Sequence, residues 1–397
     1  MLRNSDENLL MSGPAFIESG LLPREKRVSK LYTALGLMAG TSLDGIDIAL
    51  IKTDGEALVS RGPSRTYPYV SEQRAILKDA LKDALAIKER RERPGGLAQV
   101  EWSLTEWHAL AVESFCRDFG LTSSDIDVIG FHGQTVLHRP EQRLTVQLGD
   151  GPLLARRFKT RIVHDLRADD IAAGGRGAPL VPVYHRALAS SLEVLPLAFL
   201  NIGGVSNVTW IGPDGSLLAF DTGPGNALID DWALKATGSP CDRDGRLAFS
   251  GRVNEAALAQ FLGDSFFEEQ PPKSLDRDYF ASLDLTGLSP ADGAATLTAF
   301  TARSVAMSRV WFAADPKCWV ICGGGRKNPA LMAALRGALG LGPEAIIPAE
   351  AAGFNGDSME AEAWAYLAVR SLRQLPITFP GTTGAPKPMT GGVIAEA

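Results

Sequence analysis

Twice along the chain an apolar run, a tip of small residues and a second apolar run follow one another. This repetition restricts the fold more than any other feature. In the first copy, Leu31–Met38 leads into Gly40-Thr41-Ser42-Leu43-Asp44-Gly45, and Ile46–Ile51 follows. In the second, Leu197–Ile202 leads into a Gly/Ser/Asn tip running from Gly203 to Asn207, and Val208–Ile211 follows. Each copy reads as a β-hairpin. Glycine removes side-chain bulk at the tip, and successive backbone N–H groups there form a nest that attracts anions. A single tip of this kind also reads as an ordinary turn.

Two further segments add to the pattern. The strand Leu217–Phe220 delivers Asp221-Thr222-Gly223-Pro224-Gly225-Asn226 at its end. Later, Trp319–Cys322 runs into Gly323-Gly324-Gly325, and Asn328-Pro329 opens a helix. Two hairpin tips, one in each half, with a strand–glycine–helix junction, predict a duplicated scaffold that clamps a nucleotide between its halves. Asp44 and Asp47 stand where they can orient Mg²⁺ through water or receive a proton.

At 397 residues the chain is long enough for two or three domains. It is 45% hydrophobic and 22% charged, ordinary values for a chain with a sizeable core. A net charge of −6 argues against a nucleic-acid partner, which calls for a basic patch. Cys116, Cys241, Cys318 and Cys322 show no paired-ligand spacing and read as reduced thiols of a cytoplasmic protein. No apolar run is long enough to span a membrane. Residues 1–30 lack an apolar signal core and read as a disordered or lightly docked extension.

Helical spacing marks residues 71–91, 101–119, 253–262, 290–312, 329–339 and 357–373. Asp127–Phe131, ending in His132-Gly133-Gln134-Thr135, and Arg161–His164, ending at Asp165, read as strands. Strands interleaved with helices in both halves indicate α/β layers. The glycine-rich stretch Ala172–Pro179 marks a junction, giving domain I over 31–178 and domain II over 179–397, with C-terminal residues packing back on domain I.

Chemistry is expected where strands end in polar residues at a cleft. Asp221 is either a general base or the cap of the following helix. Glu360 is either a site carboxylate or, with Asp357, half of a capping box. His132 and Gln134 can bind sugar hydroxyls. Arg167 can pair a ligand carboxylate or its neighbouring aspartates.

Gly36-Leu37-Met38-Ala39-Gly40-Thr41-Ser42-Leu43-Asp44-Gly45-Ile46-Asp47 closely resembles the amino-terminal signature of anhydro-N-acetylmuramic acid kinases. The similarity continues in order over 31–392, through His132–Thr135, Val146–Gly149, Asp165–Pro182, Asn201–Asn207, Phe220–Asn226, Pro272-Lys273-Ser274, Cys322–Asn328 and Met359-Glu360-Ala361. The resemblance implies two related ribonuclease-H-like α/β domains with a nucleotide cleft between them, the fold of actin, sugar kinases and heat-shock chaperone ATPases. It implies that ATP, water and 1,6-anhydro-N-acetylmuramic acid give N-acetylmuramic acid 6-phosphate and ADP in the cytoplasm, with Mg²⁺ carried on ATP.

On that resemblance Asp221 is the base that activates water. Gly40, Thr41, Ser42, Leu43, Asp44, Gly45, Ile46 and Asp47 form the first phosphate loop. Gly203, Gly204 and Asn207 form the second, and Gly323, Gly324, Gly325 and Asn328 hold the nucleoside. His132, Gln134, Arg167, Asp170 and Glu360 lie on the substrate side. No metal ligand is assigned directly, and a homodimer is among the expected states. Ala39, Ala168, Arg176 and Leu275-Asp276 depart from the family pattern, and none of them is expected to touch Asp221 or the glycine tips. The rivals are another sugar kinase of the superfamily and a nucleotide-dependent binding ATPase without a metabolite substrate.

Overall fold

Alternation of side chains along the strands builds two sheets that repeat one topology. In the computed structural model, which describes residues 30–397, the first sheet opens with the antiparallel strands β1 (Tyr32–Ala39), β2 (Gly45–Thr53) and β3 (Val59–Pro68). The extension predicted over residues 1–30 lies, apart from Lys30, outside the described residues. Helices α1 (Ser71–Ala84) and α2 (Leu97–Phe119) follow, then β4 (Val128–Arg139) and β5 (Leu144–Leu148). Next come α3 (Gly151–Phe158), β6 (Arg161–His164), α4 (Ala168–Ala172) and α5 (Pro182–Ala189).

The second sheet repeats the opening with β7 (Leu197–Ile202), β8 (Val205–Ile211) and β9 (Leu217–Pro224). Helices α6 (Ala227–Thr237), α7 (Arg246–Ser250), α8 (Glu255–Leu262) and α9 (Pro290–Met307) precede β10 (Cys318–Cys322). Then come α10 (Pro329–Leu339), β11 (Ile346–Pro348), α11 (Met359–Leu372), α12 (Pro380–Thr383) and β12 (Val393–Ala395).

Strand order is β12-β6-β4-β1-β2-β3 in one sheet, with β5 paired to β4, and β11-β10-β7-β8-β9 in the other. In both, an antiparallel three-strand meander is followed by two strands parallel to its first member. This shared order is the duplication that the paired hairpins predict, in the ribonuclease-H-like form that the resemblance implies.

Period-two alternation sorts the core into layers. Leu35 and Leu37 of β1 face α1, α2 and α3, whereas Ala34 faces the opposite way, toward α5 and α11. In β7, Leu197 and Phe199 join that same inner layer, while Ala198 and Leu200 pack against α9 and α10. Helices α5 and α11 therefore fill the space between the sheets. Of the fourteen residues of α11, all but Glu360 and Leu372 are buried. A Cβ on Gly36 would stand 1.9 Å from the Ala361 carbonyl oxygen, and one on Gly130 2.1 Å from that of Trp364. These two glycines are register partners on β1 and β4, so the helix backbone lies directly on the sheet.

Several predicted boundaries move. The first helix ends at Ala84 rather than 91: Leu85-Ala86-Ile87 leave it in a turn that buries Ile87, and only charged residues follow before Pro94-Gly95-Gly96. The helix predicted over 290–312 ends at Met307 and tightens into a 3₁₀ turn over Ser308–Trp311. His132 to Thr135 lie within β4, and Asp221 lies within β9, because pairing with β5 and β8 carries both strands past their apolar runs. Among the described residues no helix is long and apolar enough to cross a membrane.

Candidate active site

The first hairpin delivers its tip at the end of β1. Thr41, Ser42 and Asp44 are exposed there, with Leu43 in the left-handed region at φ 58°. The side chains of Leu43 and Ile46 are buried in the core beneath α1 and α2, so these two can meet a phosphate only through backbone. A Cβ on Gly45 would stand 2.5 Å from the Tyr67 carbonyl oxygen, which makes that glycine a requirement of strand pairing.

Gly40, Gly203 and Gly204 behave differently. A Cβ at each would meet nothing closer than 3.5 Å, and none has a positive φ. The fold does not require glycine at these positions; close approach of a ligand to the backbone would. Gly323 contrasts with them, at φ 72° and with its Cβ position 2.4 Å from Asn201 Oδ1. Gly325 would press on Ile202, whereas Gly324 has only the Asn226 amide nitrogen at 3.3 Å. Asn328 Oδ1 accepts from the N–H groups of Ala330 and Leu331 and so caps α10 rather than standing free for a nucleoside. The second tip is clamped from behind by the turn after β9: the N–H of Asn226 donates to the Gly203 carbonyl at 2.7 Å, and that of Gly225 to Gly204 at 3.0 Å.

Asp221 begins this clamping segment. It lies opposite Asn207 across the β8–β9 ladder. Its N–H donates to the Lys273 carbonyl (3.0 Å), and its Oδ2 accepts the N–H of Leu275 (2.7 Å). No hydrogen bond from the described residues reaches Oδ1. Burial pushes the carboxyl up to about 6, against the opposing pull of the Leu275 N–H and of the Arg176 guanidinium. The alternative of a helix cap is excluded, since α6 starts at Ala227 with Asn226 at its N-cap.

The contacts of Leu275 and Arg176 correct an expectation. Two positions that depart from the family pattern act on Asp221 after all, one through a hydrogen bond and the other through its charge. Arg176 also donates to Ser274 Oγ at 2.9 Å, joining the glycine-rich junction to the loop that orients Asp221. On that loop Arg277, paired with Asp231, lies alongside the Gly204 tip. Sequence reasoning assigned Arg277 no role, although its place three residues past the Pro272-Lys273-Ser274 segment was a usable signal.

A second group gathers over the start of α11. Glu360 is accessible to solvent, yet so much protein surrounds it that desolvation raises its pKa; the charge of Asp47 adds to the rise and that of Arg167 opposes it. Both facts fit a carboxylate at the bottom of a cleft. The capping box fails, because Ser358 is the N-cap and Asp357 instead binds Arg326 and Lys327, each at 2.9 Å. Asp47, hydrogen-bonded to Thr66, is raised by burial and by the nearby charges of Asp44 and Asp357.

One helical turn beyond Glu360, Trp364 forms a platform that sequence reasoning also missed, although i,i+4 spacing puts it on the same face. The His132 ring packs against it, tilted by 40° with centroids 4.5 Å apart, and the Arg167 guanidinium lies 5.1 Å from its centroid. Burial and the neighbouring Arg167 hold His132 neutral. Its Nδ1 is 3.2 Å from the Ala39 carbonyl and its Nε2 is 3.2 Å from Arg167 Nε, so the bonds fix a tautomer with the proton on Nδ1.

Gln134 Nε2 donates to the Gly40 carbonyl (3.1 Å), leaving Oε1 without a partner. His132 and Gln134 thus brace the first glycine tip. Arg167, lowered by burial to about 10 and still a cation at neutral pH, also donates to the Gly177 carbonyl at 2.8 Å. No carboxylate of the described residues bonds it directly. Asp170 does not reach the group: it is 1% exposed and accepts from Gly177 N–H, Thr378 and Thr383, so it holds the glycine-rich junction from behind.

A family model for anhydro-N-acetylmuramic acid kinase matches residues 32–397. The anhydro-N-acetylmuramic acid kinase of Paramagnetospirillum magneticum is 54% identical over 362 residues, covering 90% of this chain and 98% of the relative. That of Nitrobacter winogradskyi is 51% identical over 367 residues, covering 92% and 100%. Among solved structures, component A of the Acidaminococcus fermentans (R)-2-hydroxyglutaryl-CoA dehydratase is similar at 14% identity and a TM-score of 0.45, over 86% of this chain and 99% of that one. With the family's model spanning both sheets and both glycine tips, the chain belongs to the anhydro-N-acetylmuramic acid kinase family.

Proposed function

We propose that the protein uses ATP and water to open 1,6-anhydro-N-acetylmuramic acid and phosphorylate its 6-oxygen, yielding N-acetylmuramic acid 6-phosphate and ADP in cell-wall recycling. Water adds to the anomeric carbon as the bond from that carbon to the bridging oxygen breaks. The freed 6-oxygen takes the γ-phosphoryl group from ATP, and the proton of water passes to Asp221. The observation that carries this reading is the Asp221 carboxylate. One oxygen is held by Leu275 N–H, the other receives no hydrogen bond from the described residues, and the same strand continues into the turn that clamps the Gly203-Gly204 tip.

Asp221 orients and deprotonates water, and a pKa near 6 keeps it ionised at neutral pH while leaving it basic enough to accept a proton. The exposed tip residues Gly40–Ser42 and Gly203-Gly204 receive phosphate oxygens, and positioning supplies much of the rate. Asp44 and Asp47 are the residues suited to hold Mg²⁺ through water, and that ion would neutralise the phosphate oxygens. Arg167 and Glu360 fix the sugar, with His132 and Gln134 behind them. The two halves, 31–178 and 179–397, act as the lobes on either side.

An ADP-release assay tests the reading across 1,6-anhydro-N-acetylmuramic acid, N-acetylmuramic acid and common hexoses. Turnover with the anhydro-sugar and not with hexoses is expected. Turnover with a hexose alone, or ADP release indifferent to sugar, would overturn it.

A further inference from the structure

Behind His132, on the face of the first sheet turned away from α11, lies a cavity of about 240 Å³ that the mechanism above does not use. The loop between α1 and α2 closes it with Arg90, Arg91 and Arg93. Two of these cations are answered: Arg90 pairs with Asp165, and Arg93 bonds both oxygens of Glu101 at 2.7 and 2.8 Å. Arg91 has no anionic partner among the described residues, so three guanidinium groups face two carboxylates. The wall also holds Gln147 and His164, whose buried Oε1 and Nε2 find no hydrogen-bond partner among the described residues. Phe131, Val146 and Leu148 give the lining an apolar part.

We propose that this cavity binds a short carboxylic acid, its carboxylate on Arg91 and its hydrocarbon part on the apolar wall. A phosphate would answer the charge but would leave the apolar wall unused, whereas a carboxylate on a short carbon chain meets both. The size suits a small ligand of roughly ten heavy atoms or fewer, since a cavity of about 150 Å³ already takes benzene. Such an acid has two sources: a free hydroxy acid from solution, or the lactyl ether of the muramic sugar. The second rests on the function proposed above and uses the fact that His132 borders both the cavity and the cleft group.

The test uses Arg91→Ala and Arg91→Glu, with thermal melting to establish that each is folded; Arg91 is exposed and bonded to nothing described, so both should melt like the parent. In the first arm, calorimetry without nucleotide measures binding of sodium lactate. The parent should bind it, with affinity lower by roughly tenfold in Arg91→Ala and undetectable in Arg91→Glu, since one charged contact is lost and then reversed. In the second arm, KM is compared for 1,6-anhydro-N-acetylmuramic acid and for 1,6-anhydro-N-acetylglucosamine, which lacks the acid. A KM raised several-fold for the acidic sugar alone, at unchanged kcat, assigns the carboxylate to the substrate; lactate binding with both KM values unmoved assigns it to a free acid. Unchanged lactate affinity together with unchanged KM, or a KM raised equally for both sugars, overturns the proposal. Failure of the kinase reading would show instead as no turnover of either sugar by the parent, while the first arm stands by itself.

Discussion

Asp221 carries the account at the scale of single residues. Its replacement by Asn keeps the hydrogen bond from Leu275 but removes the proton acceptor. Asp221→Asn should lower kcat by roughly 10² or more while ATP binding, measured by calorimetry, persists; near-normal turnover in a folded variant would remove Asp221 from its role. Because burial raises this carboxyl to about 6, it is protonated and inactive as pH falls through that value. The profile of kcat/KM should therefore show an acid limb near pH 6, and the rate should be lost below it. The cation of Arg176 pulls in the opposite direction, so Arg176→Gln should move that limb to higher pH. A limb that stays in place would mean that Arg176 only ties the junction to Ser274.

Asp221 was legible in the sequence as a candidate, a carboxylate after an apolar run and before a glycine turn, but that pattern left base and helix cap open, and the base role came from the family resemblance. Its tuning was not legible. The Leu275 N–H and the Arg176 guanidinium come from far along the chain, and no local pattern joins them. Asp170 shows the reverse case, since the resemblance put it on the substrate side and the tertiary structure spends its oxygens on Gly177, Thr378 and Thr383.

Among the elements, glycine sorts into two physical roles that the sequence alone could not separate. Gly36 and Gly130 let the α11 backbone lie on β1 and β4, which sets Glu360 and Trp364 over the first tip. Gly36→Ala forces a methyl group into the Ala361 carbonyl and should cost about 1–3 kcal/mol or more of stability, read as a lowered denaturation midpoint. Gly204→Ala meets only ordinary contacts, so its midpoint should stay put while ATP affinity weakens by roughly tenfold, about 1.4 kcal/mol. Equal loss of stability in both variants would contradict this division.

Hairpins, strand identities and most helices followed from periodicity and turn residues. Strand ends did not, because partners extend β4 and β9 beyond their apolar runs. The failed capping box at Asp357 has a similar cause: Arg326 and Lys327, on the β10–α10 connection, compete for its carboxylate and win.

Across the whole molecule, one strand order used twice brings two glycine tips and the α11 amino terminus into a single compact unit of residues 31–397. The duplication was readable from two small-residue tips a half-chain apart. That α11 is the shared filling between the sheets was not, since its apolar positions give burial but not the identity of what buries it.

The central claim is that Asp221 directs water at the sugar rather than at the phosphate. It is tested by running the reaction with ATP, Mg²⁺ and 1,6-anhydro-N-acetylmuramic acid in ¹⁸O-labelled water and fragmenting the product in a mass spectrometer. One heavy oxygen on the anomeric carbon and none in the phosphate is the predicted result. Label in the phosphate, or in neither group of a phosphorylated product, would contradict it.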